Sequence, residues 1–339
     1  MSRVWCLCCC LVLVAAGSTA VRGAPDPEAP AFGFPVACAY GETCFIQNFV
    51  DTRPGDGYAD HTCRHLSYDG HDGTDIRLSD LAAMRGGVDV VAAAPGVVAR
   101  VRDGMPDVSY DEIDPEEIAG RDAGNGVVIE HGDGWVTQYS HLKQGSVAVA
   151  PGDEVAQGAK LGEVGLSGRT VFPHVEFTVR HDGNTLDPFT GRAPERGCGE
   201  AGTPLWRAAT ADRLAYVPAA LLSAGFAGER PAAEAARAGE YAGTQMPVDA
   251  SAIVLWANVM GPGQGDKLRF SILRPDGSVL LRRSVDMPKD QARRFAFVGR
   301  PRPGTGWSRG CYSGVVALVH DGAVIDRAEK RVGFGQACE

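Results

Sequence analysis

Aromatic residues make up only 7% of the 339-residue sequence, and there is no excess of positive charge: 33 Lys and Arg stand against 42 Asp and Glu. The formal charge of −9 argues against a nucleic-acid partner, which is met by a basic face. Long apolar runs are scarce too. The N-terminal run from Val4 to Ala16 is too short for a comfortable membrane span. Of the six cysteines that follow it, none forms a Cys-x-x-Cys pair, so a cysteine zinc site is not expected. Glycine, by contrast, is abundant at 44 residues, with 21 prolines. That balance suits short strands and many turns better than long helices.

Residues 1–20 have the layout of an export signal: Arg3 before the apolar run, and the small residues Ser18, Thr19 and Ala20 at a cleavage site. Gly17 to Ala24 contains no cysteine for a lipid anchor. The expectation is a periplasmic or secreted protein with no stable membrane span after signal cleavage. An even number of cysteines in an exported chain suggests disulfides. Cys311 and Cys338 flank one candidate hairpin and are expected to pair; Cys38, Cys44, Cys63 and Cys198 are expected to pair around the first domain.

Five segments are expected: the signal at 1–20, a Pro-rich mobile leader at 21–35, a first β-domain at 36–202, a linker at 203–240, and a smaller antiparallel β-sandwich at 241–339 that anchors or orients the first domain. The fold class is therefore mainly β. "VDVVAAAPGVVARV" reads as strand, Pro95-Gly96 turn, strand, and "GVVIEHGDGWVTQYSHL" as two strands around His131 to Gly134. "KLRFSILRPDGSVLL" and "YSGVVALVHDGAVIDRAEKRVGF" are hairpin signals in the second domain, where His320 beside its turn is expected to be exposed. A short helix is expected at Asp80 to Arg85, capped by Ser79 and stopped by Gly86. The acidic insertion from Asp107 to Asp122 reads as a solvated excursion, with a substrate-facing or cation-binding loop as the other reading.

Chemistry gathers in three places. In "FPHVEFTV", strand alternation turns Val175, Phe177 and Val179 to a core, and His174, Glu176 and Thr178 to the opposite face. In "YDGHDGTDI", His71 and Asp75 sit in a glycine-containing loop able to fold both onto one point. "WVTQYSHL" ends a strand with Tyr139 and His141 on one face, Tyr139 offering either a substrate hydrogen bond or packing. Together these groups have the chemistry of a zinc hydrolase, in which catalytic zinc keeps three N or O ligands and an open position. His61 and His65 precede the motif; His61 belongs to a loop expected to carry a disulfide at Cys63. His131 and His181 lie in turns and are expected to be exposed.

The ordered blocks "GHDGTD", "TQYSHL" and "SGRTVFPHVEF", together with "PGDEVAQGAKLGEVG", resemble the lysostaphin/LytM-type zinc metallopeptidases that cleave peptides of bacterial peptidoglycan, over roughly Tyr58 to Phe189. The resemblance implies a largely antiparallel β-domain with a narrow groove over its sheet. It places His71 and Asp75 on the first two metal ligands. His141 falls on a catalytic histidine that helps polarise the substrate or stabilise the transition state, and His174 on the histidine that acts on the nucleophilic water. Glu176 stands where the family has a second histidine, the third ligand. Histidine there leaves a zinc centre with net positive charge, whereas glutamate makes it neutral, so it acidifies water and polarises a carbonyl less. Three arrangements are open: Glu176 ligates zinc; His174 ligates and Glu176 acts as base; or the metal is lost. The implied function is an exported, zinc-dependent endopeptidase hydrolysing peptide cross-links of bacterial peptidoglycan. Its alternative is a catalytically degenerate module that binds the wall or activates another wall hydrolase. A biotin- or lipoyl-type carrier shares the turn-rich "PGDEVAQGAKLGEV" flavour, but Lys160 lacks the neighbouring signature.

Overall fold

The short β-branched runs between glycine turns build two antiparallel β-units. A computed structural model describes Met1 and residues 29–338; apart from Met1, the expected signal at 1–20 lies outside the described residues. The main sheet of the first unit runs in the order Cys44–Asn48, Thr74–Leu78, His174–His181, Trp135–Leu142, Asn125–Glu130, Gly96–Arg102 and Glu154–Val155, each antiparallel to its neighbour. Strand alternation decides what faces inward. Val175, Phe177 and Val179 are buried in a core shared with Phe32, Ile76, Tyr139 and Trp206. "VDVVAAAPGVVARV" forms two strands in different sheets: Asp89–Val91 pairs with Lys160–Glu163, while Gly96–Arg102 joins the main sheet.

The second unit is a sandwich. One layer holds Ala220–Ala227, Ala252–Met260 and Arg293–Pro301; the other holds Gln245–Met246, Ala323–Phe334, Cys311–His320, Lys267–Leu273 and Val279–Asp286. Leu255, Ala257 and Val259 from the first layer interlock with Leu268, Phe270, Ile272, Val316 and Leu318 from the second. Both expected hairpins form. The second turns through Asp321 and Gly322, at φ 48° and 82°, the left-handed pair that suits a tight hairpin.

Two stretches differ from the sequence expectation because apolar side chains found a core. Phe32, expected in a mobile leader, is fully buried, and its backbone bonds Leu205. The expected linker at 203–240 contributes Leu205, Trp206 and Leu214 to the first core, and Ala220–Ala227 to the sandwich, paired with Ala252–Met260. The short helix spans Leu81–Gly86, capped by Asp80, whose carboxylate accepts the Ala83 N–H at 2.8 Å, rather than by Ser79. Cys311 pairs with Cys338, and the other four pair as Cys38–Cys44 and Cys63–Cys198. His320 is half-buried and bonds the buried Asp266 at 2.7 Å. The two units touch directly: Phe45 packs with Ala220, Leu222 and Met260, and His65 Nε2 donates to the Gly261 carbonyl at 3.2 Å. Among the described residues, no helix is long and apolar enough to cross a membrane.

Candidate metal centre

Strand register assembles the centre. Asp75 and Glu176 are direct partners across the strands Thr74–Leu78 and His174–His181, and Ser140 faces Glu176 from the other side. Two like charges directly opposed on one sheet face destabilise the pair unless something positive lies between them. Here that face is buried: the Asp75 side chain is 4% exposed and that of Glu176 14%. His71 enters from the preceding loop, its Nε2 3.3 Å from Asp75 Oδ1 and its Nδ1 3.6 Å from Glu176 Oε1. Neither His71 nitrogen, nor Asp75 Oδ1, is aligned in a hydrogen bond, although all three atoms are buried. Donor atoms of His71, Asp75 and Glu176 lie within 4.8 Å of one another.

Two more histidines close the ring. His174 Nε2 is 3.4 Å from Asp75 Oδ1, and His141 Nε2 is 3.5 Å from Glu176 Oε2. Both have Nδ1 tied to a backbone carbonyl, that of Ser167 for His141 at 2.8 Å and that of Phe172 for His174 at 3.0 Å. A proton held on Nδ1 leaves Nε2 as the free acceptor directed at the centre. Charge follows this geometry. Burial lowers the pKa of His71 and His141, but the carboxylates, Asp75 for the first and Glu176 for the second, more than offset it, so both are raised. Burial would raise Asp75 and Glu176, yet His71 and His174 hold Asp75 well below its usual value, and His141 lowers Glu176.

The five residues singled out in the sequence thus converge. Tyr139 does not join them. Gln138 and Ser140 share the groove face with Glu176, so regular alternation would send both Tyr139 and His141 inward. Tyr139 does go inward, fully buried, its hydroxyl accepting the Ala93 N–H at 2.8 Å. His141 takes φ +63°, and the pairing slips between Asn125 and Val127. This break in the pleat returns its ring to the groove.

His61 is not part of the centre: it stacks on Phe189, with ring centroids 4.9 Å apart, and its Nδ1 lies 4.0 Å from Asp187. His65 points to the sandwich. His131, expected to be exposed, is half-buried and bonded to Pro95 and Thr137, and His181 stacks on Trp135.

Other contributors had no clear signal in the sequence. Asn48 donates to Asp75 Oδ2 at 2.8 Å; a bulge between Ile46 and Asn48 sets it opposite Asp75. Gly73 matters for space, since a Cβ there would lie 2.5 Å from Glu176 Cγ. The centre opens into a groove of 830 Å³ lined by Tyr58, Tyr68, Tyr110, Phe172 and Arg293 of the sandwich. Tyr68 stacks on the His71 ring, centroids 4.3 Å apart. The acidic insertion is largely exposed, but Tyr110 and Asp122 make it a wall of the groove.

Residues 69–188 match the model described as peptidase family M23. This segment is an M23-type peptidase domain. The cell division protein DipM of Caulobacter vibrioides is 41% identical over 58 residues, 17% of this chain and 9% of that protein. The peptidoglycan DD-endopeptidase ShyA of Vibrio cholerae is 33% identical over 72 residues, 21% of this chain and 16% of that protein. The chain thus spans only a small part of these curated relatives. Among solved structures, the catalytic domain of a mutant of the prophage-encoded M23 protein EnpA from Enterococcus faecalis is 25% identical, covering 48% of this chain and 95% of that one, with a TM-score of 0.29. A zinc-containing peptidase from Vibrio cholerae is 27% identical, covering 43% of this chain and 39% of that one, with a TM-score of 0.27.

Proposed function

We propose that the protein is an exported zinc-dependent endopeptidase acting on peptidoglycan peptides, with His71, Asp75 and Glu176 holding the metal. The observation that carries this reading is the buried, directly opposed pair Asp75 and Glu176, together with His71, whose two nitrogens have no hydrogen-bond partner. Two carboxylates and one imidazole form a borderline donor set compatible with zinc, so the residues fit the ion that the family resemblance implies. When bound, zinc supplies Lewis-acid polarisation of a peptide carbonyl and a more acidic water.

The remaining roles follow from proton placement. His174, with Nδ1–H given to Phe172, presents a basic Nε2 and takes the proton of the attacking water. His141, with Nδ1–H given to Ser167, carries a proton on Nε2 once charged and donates it to the developing oxyanion. Asn48 keeps Asp75 from rotating by binding its other oxygen. Tyr58, Tyr68 and Phe172 line the groove, giving a peptide apolar walls to lie against.

A second reading has one observation in its favour. His174 Nε2 is as near to Asp75 Oδ1 as His71 Nε2 is, 3.4 against 3.3 Å, so His174 can serve as the third ligand and Glu176 as the base. Zinc content and cell-wall digestion by wild type, His174→Ala and Glu176→Gln separate the two. Under the first reading His174→Ala keeps stoichiometric zinc and loses cleavage, while Glu176→Gln loses zinc. Under the second the metal is lost with His174. A wild type that is metal-free and inert, and becomes active only as Glu176→His, makes this a wall-binding or hydrolase-activating module and refutes both.

A further inference from the structure

Beside the groove, between the two units, lies a cavity of 280 Å³ that shares Val171, Phe172 and Arg293 with it. Its lining brings together three guanidiniums: Arg77 from the strand Thr74–Leu78, Arg237 from the helix Ala233–Ala238, and Arg293 from the strand Arg293–Pro301. Arg77 is buried, 3% exposed. Its Nε donates to the Leu78 carbonyl at 3.0 Å and its Nη1 to Gln47, and the guanidinium lies over the Phe172 ring, 4.7 Å from its centroid. Arg237 Nη1 pairs with Glu234 at 3.5 Å while its buried Nε has no partner, and the Arg293 guanidinium feels Asp111 and Glu234. Asn258, only 2% exposed, lines the same cavity.

Three guanidiniums around one cavity repel one another, and the Arg237–Glu234 pair offsets only part of that. An anion with several acceptor atoms among them offsets more of it, and a planar carboxylate matches a guanidinium in shape. Acidic residues stand at the rim: Asp111, Glu112 and Glu234 are exposed, and Asp80 is half-buried and caps its helix. A bare polyanion is disfavoured by them, whereas a carboxylate with an ammonium beside it satisfies both floor and rim. Position specifies the rest. Arg77 lies two residues beyond Asp75 on the same face of the same strand, one pleat repeat or about 7 Å away.

We propose that this cavity is a subsite for a free carboxylate of an amino-acid residue within about two positions of the cleaved bond. It deepens the reading of the groove as a peptidoglycan peptidase site and rests on it. Substrate choice then depends on the second unit, because Arg237 and Arg293 both come from beyond the M23-type segment.

The test is calorimetric binding to the full chain of the stem fragment L-alanyl-γ-D-glutamyl-meso-diaminopimelate, and of the same fragment with its glutamyl α-carboxyl and diaminopimelate carboxyls amidated. The acid form is expected to bind about tenfold tighter, and Arg237→Gln or Arg293→Gln to erase most of that preference, with Arg237→Lys retaining part of it. Equal affinity for the two fragments, or variants that weaken both alike, would overturn the subsite, as would inorganic phosphate competing as strongly as the fragment. The readout does not need turnover. A protein that discriminates but never cleaves wall loses the hydrolase reading alone, and one that cleaves without discriminating loses the subsite alone.

Discussion

Replacing Glu176 with glutamine keeps the side chain's shape and removes one charge, so its effect is electrostatic and can be worked out. The donor atoms of Asp75 and Glu176 are at most 4.8 Å apart. At an effective dielectric of about 20, two carboxylates at that distance repel by about 3.5 kcal/mol. Protonated His141 at 3.5 Å and His71 at 3.6 Å each attract Glu176 by a little more, about 4.7 kcal/mol before desolvation. In the metal-free protein the sign therefore depends on the imidazoles. The pKa of Glu176 is lowered, so its stabilisation is present above the unfolded value and lost as pH falls through the folded one. Those of His71 and His141 are raised, so theirs is present below the unfolded value and lost as pH rises through the folded one.

Between these limits Glu176→Gln costs the metal-free protein a few kcal/mol; above them it is neutral or stabilising, because only the repulsion from Asp75 remains. With zinc bound the charge is needed throughout, and affinity is expected to fall by about a hundredfold or more. Melting of wild type and variant, with chelator or with zinc, from about pH 5 to 9 reads both effects. An offset in chelator that does not change with pH, or equal zinc stabilisation of the two proteins, would refute the reasoning.

Three further outcomes are expected. Gly73→Ala places a Cβ 2.5 Å from Glu176 Cγ, so zinc content should drop while the far-ultraviolet dichroism stays unchanged; full zinc loading would show that Glu176 is not needed in its present position. Removing Cys63–Cys198, with a sequence separation of 135, should cost about 5 kcal/mol, and removing Cys38–Cys44, with a separation of 6, only about 2, on the loop-entropy account; denaturant melts of the paired serine variants that reverse this order contradict it. Burial pushes the Asp187 carboxyl up to about 7. A raised folded pKa gives stability that is present below the unfolded value and lost as pH rises through 7, so Asp187→Asn should flatten the fall in stability between about pH 4 and 7; an unchanged slope would mean that Asp187 is ionised throughout.

The period of two in "FPHVEFTV" was sufficient to divide core from groove, since a strand flips its side chains whatever it packs against. The glycine loop before Asp75 and the hairpin turns at Asp276-Gly277 and Asp321-Gly322 were legible for the same reason: local backbone chemistry governs them. Where the packing partner is distant, the pattern was silent or misleading. Phe32 and Trp206 lie in stretches that read as leader and linker, and only their meeting in the first core orders them. Tyr139 and His141 share a parity, and the left-handed backbone at His141 that separates them follows from register, not from any residue preference.

By itself, then, the chain determined that His174 and Glu176 share a face, that His71 and Asp75 lie in a loop able to converge, and that the six cysteines after the N-terminal apolar run pair. Tertiary structure alone decided that Asp75 stands opposite Glu176, that Asn48 anchors it, and that three arginines from separate elements meet beside the groove. Strand pairing and unit packing join residues up to hundreds of positions apart, and the free energy that selects one register is the burial of a whole face rather than a preference written at any single position.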